Sequence, residues 1–424
     1  MQLCEFETVD YAPTTSMTER NWTAWVVRKF LGGLPFALDF GDGDIRPMSD
    51  QTYEIMWAPP RFRTLLFMLT NPSLKFGETF MDGKWYCSQG KLSDFVEMLL
   101  SQKGATAKGN GLSFGATSIL THIYKQFLAT FSATRKVARH YDISAEFFSL
   151  VIGLDLVYSC AFFEDNINDL GEAQQRKFDR IFERMDMPSA RNLKVLDIGC
   201  GWGSFERYFP RDLQAKVDAI SISKKQISFA RRKYGGTSNA ANVEVEFFEE
   251  DYRHYCKRKA NYYNRVVSIG MLEHVGKSKF GHYFNAISNV LTDDGIALVH
   301  SIVKKSDQVT NIWFDRYIFP GGYVPKISEV MDGIEKAGLK VQCVHIHSGT
   351  NYIETLNVWL HNLLVQEKEC LRVLIDEQHT DTEKNPERVA RTTMRMFVFY
   401  LAAVQSSFHP SLNGDRIAHF IVTH

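Results

Sequence analysis

The stretch VLDIGCGWGSF sets Gly199, Gly201 and Gly203 at the end of an apolar run and at the start of a helix-like segment. Missing side chains let a nucleotide approach the backbone, and the first amides of a helix favour its polar groups. The spacing is GxGxG with Asp197 inside the run, not the GxGxxG of a dinucleotide fold. The next run ends in Ser221 and Ser223, where a dinucleotide fold places an acid for a ribose hydroxyl. This pattern weakens NAD and favours S-adenosylmethionine. The plainer reading, a tight turn with no ligand, is disfavoured by the strand before, the helix after and the density of the motif.

Three more runs end in polar groups: EEDYRHY with Asp251, SIGMLEHVG with Glu273 and His274, and LVHSIV with His300. If these ends converge, a carboxylate and an imidazole share one pocket and can hold a small polar ligand or manage a proton. Taken singly, Glu273 is as readily a helix N-terminal acid and His300 a satisfied core histidine. A fourth stretch, YSCAFFED, places Cys160 among aromatics and directly before acids. Packing, redox chemistry and membership of a site all remain open for it, and packing is the commonest fate of a free cysteine.

The elements that must position these residues begin near Leu193. LKVLDIG, KVDAISIS, VEVEFFEED, NRVVSIG, GIALVHSIV and GLKVQCVHI alternate with helix-length segments. That alternation predicts an α/β fold, a doubly wound parallel sheet with helices on both faces and ligands at the carboxyl ends of the strands. Earlier, PFALDFGDGDIRPMS and KFGETFMDGKWY read as short turn-rich strands and SDFVEMLLSQ as a helix, a small α+β module. Glycine and small residues from Gly104 to Ser118 read as a linker. A helix follows with Lys125, Arg135, Lys136 and Arg139, a basic surface or simply a solvated face. The expected domains are residues 1–115, with the linker, and residues 116–424.

The 424 residues carry 49 basic and 49 acidic side chains, so any attraction to nucleic acid or to an anionic surface must come from a local patch. The first twenty residues bear early acids and no apolar core run, which predicts neither a secretory signal nor an anchor. The longest apolar stretch, SLVIGLDLVYSCAFF, is interrupted by Asp155 and is too short to span a bilayer. Seven scattered cysteines without a CxxC pair argue for reduced thiols in a cytosol and against a disulfide framework or a structural zinc.

HYDISAEFFSLVIGLDLVYSCAFFED, VLDIGCGWG, SISKKQ, EEDYR, MLEHVG, HSIV, DRYIFPGGYVP and YIETLNVW resemble, in this order, the cyclopropane-fatty-acyl-phospholipid synthases. These are S-adenosylmethionine-dependent enzymes that methylenate lipid double bonds on a class I (Rossmann-like) methyltransferase sheet. GETFMDGKW is similar to their small amino-terminal lipid-binding domain. The resemblance implies a bicarbonate ion as general base, held by Cys160, Glu273, His300, the backbone at Ile302 and Tyr352. It also implies that Tyr158, Ser159, Gly199, Gly201, Ser221, Ser223 and Gln226 line the S-adenosylmethionine site, with Asp251 and Tyr252 near the adenine.

In such chemistry the alkene must lie in line with the sulfonium methyl in a dry cavity, and aromatic walls tolerate the carbocation that follows. The implied partners are a phospholipid surface, met peripherally at the inner face of the membrane, and an unsaturated acyl chain, with no nucleic acid. A homodimer is also implied, since relatives form dimers. HYDISAEF departs from the family's usual HYDLGNDF at Ser144 and Ala145. Relatives that install methyl or methylene branches, or methylate amines, are the competing readings, beside a lipid-binding protein on a decayed methyltransferase scaffold.

Overall fold

The computed structural model describes residues 16–105, 143–164, 166–188, 192–210, 212–237, 242–305, 311–378, 385–412 and 414–424. The expected linker beyond Ala105 and the basic helix after it lie outside the described residues. The chain divides into two compact units. One takes the described residues up to Ala105 together with Asn311–Ile318 and Trp359–Leu412. The other holds the rest of the described chain, including Phe319–Val358 and the carboxyl-terminal segment.

In the first unit, helix α1 (Met17–Leu31) precedes a four-stranded sheet of β1 (Phe36–Asp39), β2 (Ile45–Pro47), β3 (Ile55–Ala58) and β4 (Tyr86–Gln89), ordered β2-β1-β3-β4. Asp39 and Ile45 are joined by FGDGD, where Gly41 and Gly43 take φ of 78° and 79°, the left-handed turn a hairpin requires. Helices α2 (Phe62–Thr70), α3 (Pro72–Met81) and α4 (Leu92–Ala105) complete the unit. Phe36, Trp57, Trp85 and Phe95 are buried at its centre, with ring centroids 5.5–6.4 Å apart.

The expected strand in KFGETFMDGKWY is instead the second half of α3, followed by a turn at Gly83 (φ 67°) and then β4. Pro72 opens the helix in its first turn, where its missing N–H costs nothing. Gly77 lies under Trp313 and Phe399, and a Cβ there would stand 2.5 Å from the Trp313 Nε1. The helix Pro386–Ser407 packs on α3 and α4, with Ser406 Oγ donating to the Ser93 carbonyl at 2.8 Å. The expected domain of residues 116–424 includes this segment, which the contacts group with the first unit.

The second unit is built on β5 (Leu193–Ile198), β6 (Ala215–Ser221), the two-residue β7 (Gly236–Thr237), β8 (Val243–Glu249), β9 (Tyr263–Ile269), β10 (Leu291–Val303), β11 (Lys340–His347) and β12 (Arg416–Thr423). The sheet order is β11-β12-β10-β9-β5-β6-β8-β7. From β8 through β10 every pairing is parallel, whereas β12 runs antiparallel between β10 and β11. In β5 every residue but Lys194 is buried, as a strand covered on both faces demands.

Helices α5 (Ala145–Ile152) and α6 (Leu170–Arg184) enter first, and α7 (Lys224–Tyr234) follows β6. The α6 cap is Asp169, whose carboxylate accepts from Glu172 N at 3.0 Å. Phe178, Ile181 and Phe182 of α6 share one core with Ile227 and Ala230 of α7. Helices α8 (Phe280–Val290) and α9 (Ile327–Lys336) bury Phe284, Ile287, Val330 and Ile334 in a second core, on the other face of the sheet. Chain order reverses at β5, with β6 and β8 to one side and β9 and β10 to the other. A crevice at the carboxyl ends of the strands follows from that reversal. All six expected strands are present, and β12 is an addition that sequence spacing did not find.

Candidate active site

Tyr158, Ser159, Gly199, Gly201, Ser221, Ser223, Gln226, Asp251 and Tyr252 all line one cavity at the carboxyl ends of β5, β6 and β8. Asp197, Trp202, Met271 and His274 line it too. The turn after β5 is held by two amides, Gly199 N and Cys200 N, donating to the Ile220 carbonyl at 2.9 and 3.1 Å. Its three glycines have different tasks. Gly199 (φ 91°) runs past Met271, whose Cγ would sit 2.9 Å from an added Cβ. Gly203 (φ 81°) is packed so that an added Cβ would stand 3.0–3.1 Å from Ala230, Tyr234 and Phe247. Gly201 (φ 57°) has nothing within 4 Å of its Cβ position and itself lines the cavity.

At the end of β6, Ser223 caps α7 through Gln226 N (3.4 Å), and Ser221 Oγ lies 3.3 Å from both Ser223 N and the Gln226 side-chain oxygen. Asp251 caps the turn at Tyr252 by accepting from Arg253 N at 2.9 Å. Burial raises its carboxyl, but the Arg253 hydrogen bonds outweigh burial and hold it below the usual carboxylate range. It therefore stays an acceptor for ligand hydroxyls. Burial pushes the Tyr252 phenol up to about 12. Ser204 Oγ donates to the carbonyls of Asp155 (3.0 Å) and Leu156 (2.9 Å), tying the glycine turn to the loop that carries Tyr158 and Ser159. Ser144, one of the two departures from the family's usual motif, caps α5 by accepting from Phe147 N at 3.2 Å.

Cys160, Glu273, His300, Ile302 and Tyr352 do not line that cavity, and one direct hydrogen bond joins two of them, Ile302 N to Glu273. Glu273 Oε1 accepts from the Ile302 amide at 2.6 Å, so an anion can use that N–H only by sharing it with the carboxylate. Glu273 Oε2 is buried with no hydrogen-bond partner among the described residues. Burial pushes this carboxyl up to about 7. His300 stands two residues before Ile302 on β10 and is 2% exposed. Burial, with Lys177, His347 and Arg184 nearby, holds it well below its usual range, so it is a neutral imidazole.

Cys160 is equally buried, and desolvation raises it to about 12, which keeps a thiol and not a thiolate. Its segment is bonded to the start of the helix Thr350–Val365: Ala161 N donates to Thr355 Oγ1 (3.0 Å) and Phe163 N to Asn351 Oδ1 (2.9 Å). Tyr352, 7% exposed, lies in that same first turn.

Residues beyond the sequence reading hold this arrangement. Lys177 of α6 is wholly buried, its amine lowered to about 7 by burial, and its Nζ donates to Ser159 Oγ at 2.8 Å. Gln174 Nε2 donates to the Ser159 carbonyl at 3.0 Å. Both polar residues ride in the apolar stripe of EAQQRKFDRIF, and a polar residue in register with Phe178 and Ile181 was the available signal. Arg184, His347 and His419 form a cluster against His300; the short apolar run RIAHFIVT, with its lone histidine, was a strand signal of the same kind.

The strand order and the glycine-floored cavity define the class of S-adenosylmethionine-dependent methyltransferases. A cyclopropane synthase from Mycobacterium tuberculosis superposes with a TM-score of 0.56 at 24% identity, covering 69% of this chain and 98% of that one. Coclaurine N-methyltransferase superposes at 0.61 and 20% identity, over 82% and 99%, so the fold alone does not separate carbon from nitrogen acceptors. Residues 129–413 match the mycolic acid cyclopropane synthetase family. The cyclopropane-fatty-acyl-phospholipid synthase of Escherichia coli is 30% identical over 353 residues, 80% of this chain and 81% of that one. The chain belongs to this cyclopropane synthase family, and it is an S-adenosylmethionine-dependent methyltransferase of that type.

Proposed function

We propose that the enzyme transfers a methylene group from S-adenosylmethionine to a cis double bond of a phospholipid acyl chain, with bicarbonate as the base. Glu273 carries the reading: a buried carboxyl anchored through one oxygen to Ile302 N, with the other oxygen unpartnered. A buried acceptor without a partner is costly, and a small anion with its own hydroxyl hydrogen satisfies it. The neutral His300, the Tyr352 phenol and the Cys160 thiol, the last turning from the Ala161 carbonyl it meets at 3.2 Å, are of a chemistry that suits the oxygens of the same anion. Methylation of an amine needs no such site, because a basic nitrogen leaves no carbon-bound proton to remove.

S-adenosylmethionine supplies the carbon as a sulfonium methyl, and bicarbonate supplies the base that takes up the proton released from it. The chain's own residues bind and orient. Tyr158, Ser159 and the glycine turn hold the donor, Asp251 and Tyr252 receive its adenosine end, and Lys177 fixes Ser159 between the donor and Cys160. Burial of His300, Cys160 and the Glu273 carboxyl excludes water, which strengthens each hydrogen bond there and protects the electron-poor acyl carbon from capture.

A lipid surface fits the first unit. On α1, Trp22, Trp25 and Phe30 are 53%, 55% and 41% exposed, and on α2 Leu66 and Phe67 are 44% and 49% exposed. Lys29 lies over the Trp25 ring and Lys75 over Phe67. Exposed aromatics beside basic groups are the composition of a helix face that settles into lipid headgroups. No described helix is long and apolar enough to cross a membrane. The protein then works peripherally, at the cytoplasmic face.

Glu273→Gln and Cys160→Ala test the site. Each should lower turnover at least tenfold and raise the bicarbonate concentration needed for half-maximal rate, while calorimetric affinity for S-adenosylmethionine stays within about twofold. Loss of cofactor affinity in either variant would move these residues into the donor site and overturn the assignment.

A further inference from the structure

We propose that His419 is a positioning residue for His300: together with Arg184 it fixes the ring proton of His300 on Nε2, making that nitrogen a hydrogen-bond donor. Arg184 NH1 lies 2.6 Å from His419 Nδ1 and 2.9 Å from His347 Nε2. A guanidinium only donates and does not lose its proton in proteins, so both imidazole nitrogens facing it are acceptors. A charged His419 would set an N–H against the guanidinium at 2.6 Å, which the geometry forbids. His419 is therefore neutral with its proton on Nε2. That nitrogen is 2.8 Å from His300 Nδ1. His300 Nδ1 must accept, and the remaining proton of a neutral His300 sits on Nε2, which makes no hydrogen bond to the described residues.

The far end of the chain agrees. His347, accepting through Nε2, carries its proton on Nδ1, and Nδ1 faces Glu164 Oε1 at 3.5 Å. The fold builds this relay from four elements, since Arg184 ends α6, His347 ends β11, and His419 pairs with His300 across the β12–β10 ladder. His300 and His419 are 2% and 0% exposed. The Phe162 ring stacks on His347 at 4.0 Å and lies 5.5 Å from His419, excluding water that could exchange the tautomers. Lys177 and His345 also face the cluster electrostatically, and both disfavour a second positive charge in it.

What the Nε2–H of His300 meets rests on the bicarbonate reading: a fixed donor suits an oxyanion's oxygen and prevents His300 from competing as the base. The tautomer itself does not rest on that reading. The test is a long-range proton–nitrogen spectrum of the full-length protein labelled with 15N-histidine, assigned with His300→Gln and His419→Gln. His300 and His419 should each show one protonated Nε2 and one bare Nδ1. A His300 protonated on Nδ1, or on both nitrogens near neutral pH, overturns the proposal.

The side-chain amide of His419→Gln can accept from Arg184 and donate to His300, so it should keep the His300 pattern and near-native bicarbonate dependence. His419→Leu should mix the two His300 tautomers and raise half-saturating bicarbonate by about tenfold, with KM for S-adenosylmethionine unchanged. An unmixed His300 in folded His419→Leu also overturns the proposal. The predicted tautomers with unaltered bicarbonate dependence in His419→Leu would uphold the relay and sink the anion reading instead.

Discussion

The two glycines flanking Trp202 separate cofactor binding from folding. Gly201→Ala places a side chain at φ 57°, a left-handed conformation that costs an L-residue roughly 1–2 kcal/mol. No atom lies within 4 Å of the new methyl, so no packing penalty is added. For a unit of this size the melting temperature should fall by about 2–8 °C. A methyl here enters the open space at the cavity wall, and crowding a bound ligand by one methyl costs roughly 1–3 kcal/mol, about a five- to 150-fold loss of affinity for S-adenosylmethionine.

Gly203→Ala takes the same conformational cost at φ 81°, but its methyl meets Ala230, Tyr234 and Phe247 at 3.0–3.1 Å. Overpacking adds about 1–3 kcal/mol, so its total of roughly 2–5 kcal/mol appears as a larger melting shift. Its folded fraction should bind the cofactor nearly as the parent does. Scanning calorimetry and isothermal titration with S-adenosylhomocysteine read both quantities. A Gly201→Ala protein with parental affinity would refute the claim that this turn floors the cofactor site. Equal affinity losses in the two variants would show that the glycines act only through backbone strain.

Trp22→Ser with Trp25→Ser should weaken sedimentation with anionic phospholipid vesicles by at least about tenfold while leaving the melting temperature within a few degrees, since both rings are more than half exposed. Unchanged sedimentation would remove α1 from the lipid contact. These substitutions test the surface better than truncation, because the helix Pro386–Ser407 packs on α3 and α4 and loses its partners when the amino-terminal segment is cut away.

The buried acids Asp197 and Glu206 make stability depend on pH. Burial pushes Asp197 up to about 7 and Glu206 well above its usual value. Each is raised above its unfolded value, so the folded state keeps protons that the unfolded chain releases. Stability should therefore fall as pH rises from about 4 to about 7 through Asp197, and above that range through Glu206, by up to ~1.4 kcal/mol per pH unit for each group. Glu206→Gln should flatten that slope and gain stability at pH 8 in denaturant titrations. An unaltered slope would show that the pair does not share the burden.

The parallel strands were legible because strands covered on both faces read as apolar runs, and the residues just after β5, β6 and β8 met in one cavity, with His274 after β9, whereas Glu273 and His300 do not line it. Asp251, Ser221 and Gly201 needed no family knowledge beyond that rule. Cys160 and Tyr352 were different: nothing in their spacing connects residues nearly two hundred positions apart, and only family resemblance paired them before Asn351 and Thr355 were seen to bond their segments. Lys177 stayed hidden because it sits in an apolar helix stripe. His419 was missed because β12 follows a long helix and inserts antiparallel into a sheet whose other central pairings are parallel. KFGETFMDGKWY misled because its DG turn is real, yet the helix before it is set by Pro72 and by Trp313, a residue far along the chain that fits only over Gly77.

The central claim is that a carbon from S-adenosylmethionine becomes the third member of a ring on a lipid chain. It is tested most directly by incubating the purified protein with unsaturated phospholipid vesicles, bicarbonate and 13C-methyl-labelled S-adenosylmethionine, and recording proton and carbon NMR of the recovered acyl chains. The account predicts labelled cyclopropyl methylene signals at high field with loss of the cis-alkene signal. Label in a vinylidene or branched methyl group, or no label in lipid at all, would contradict it.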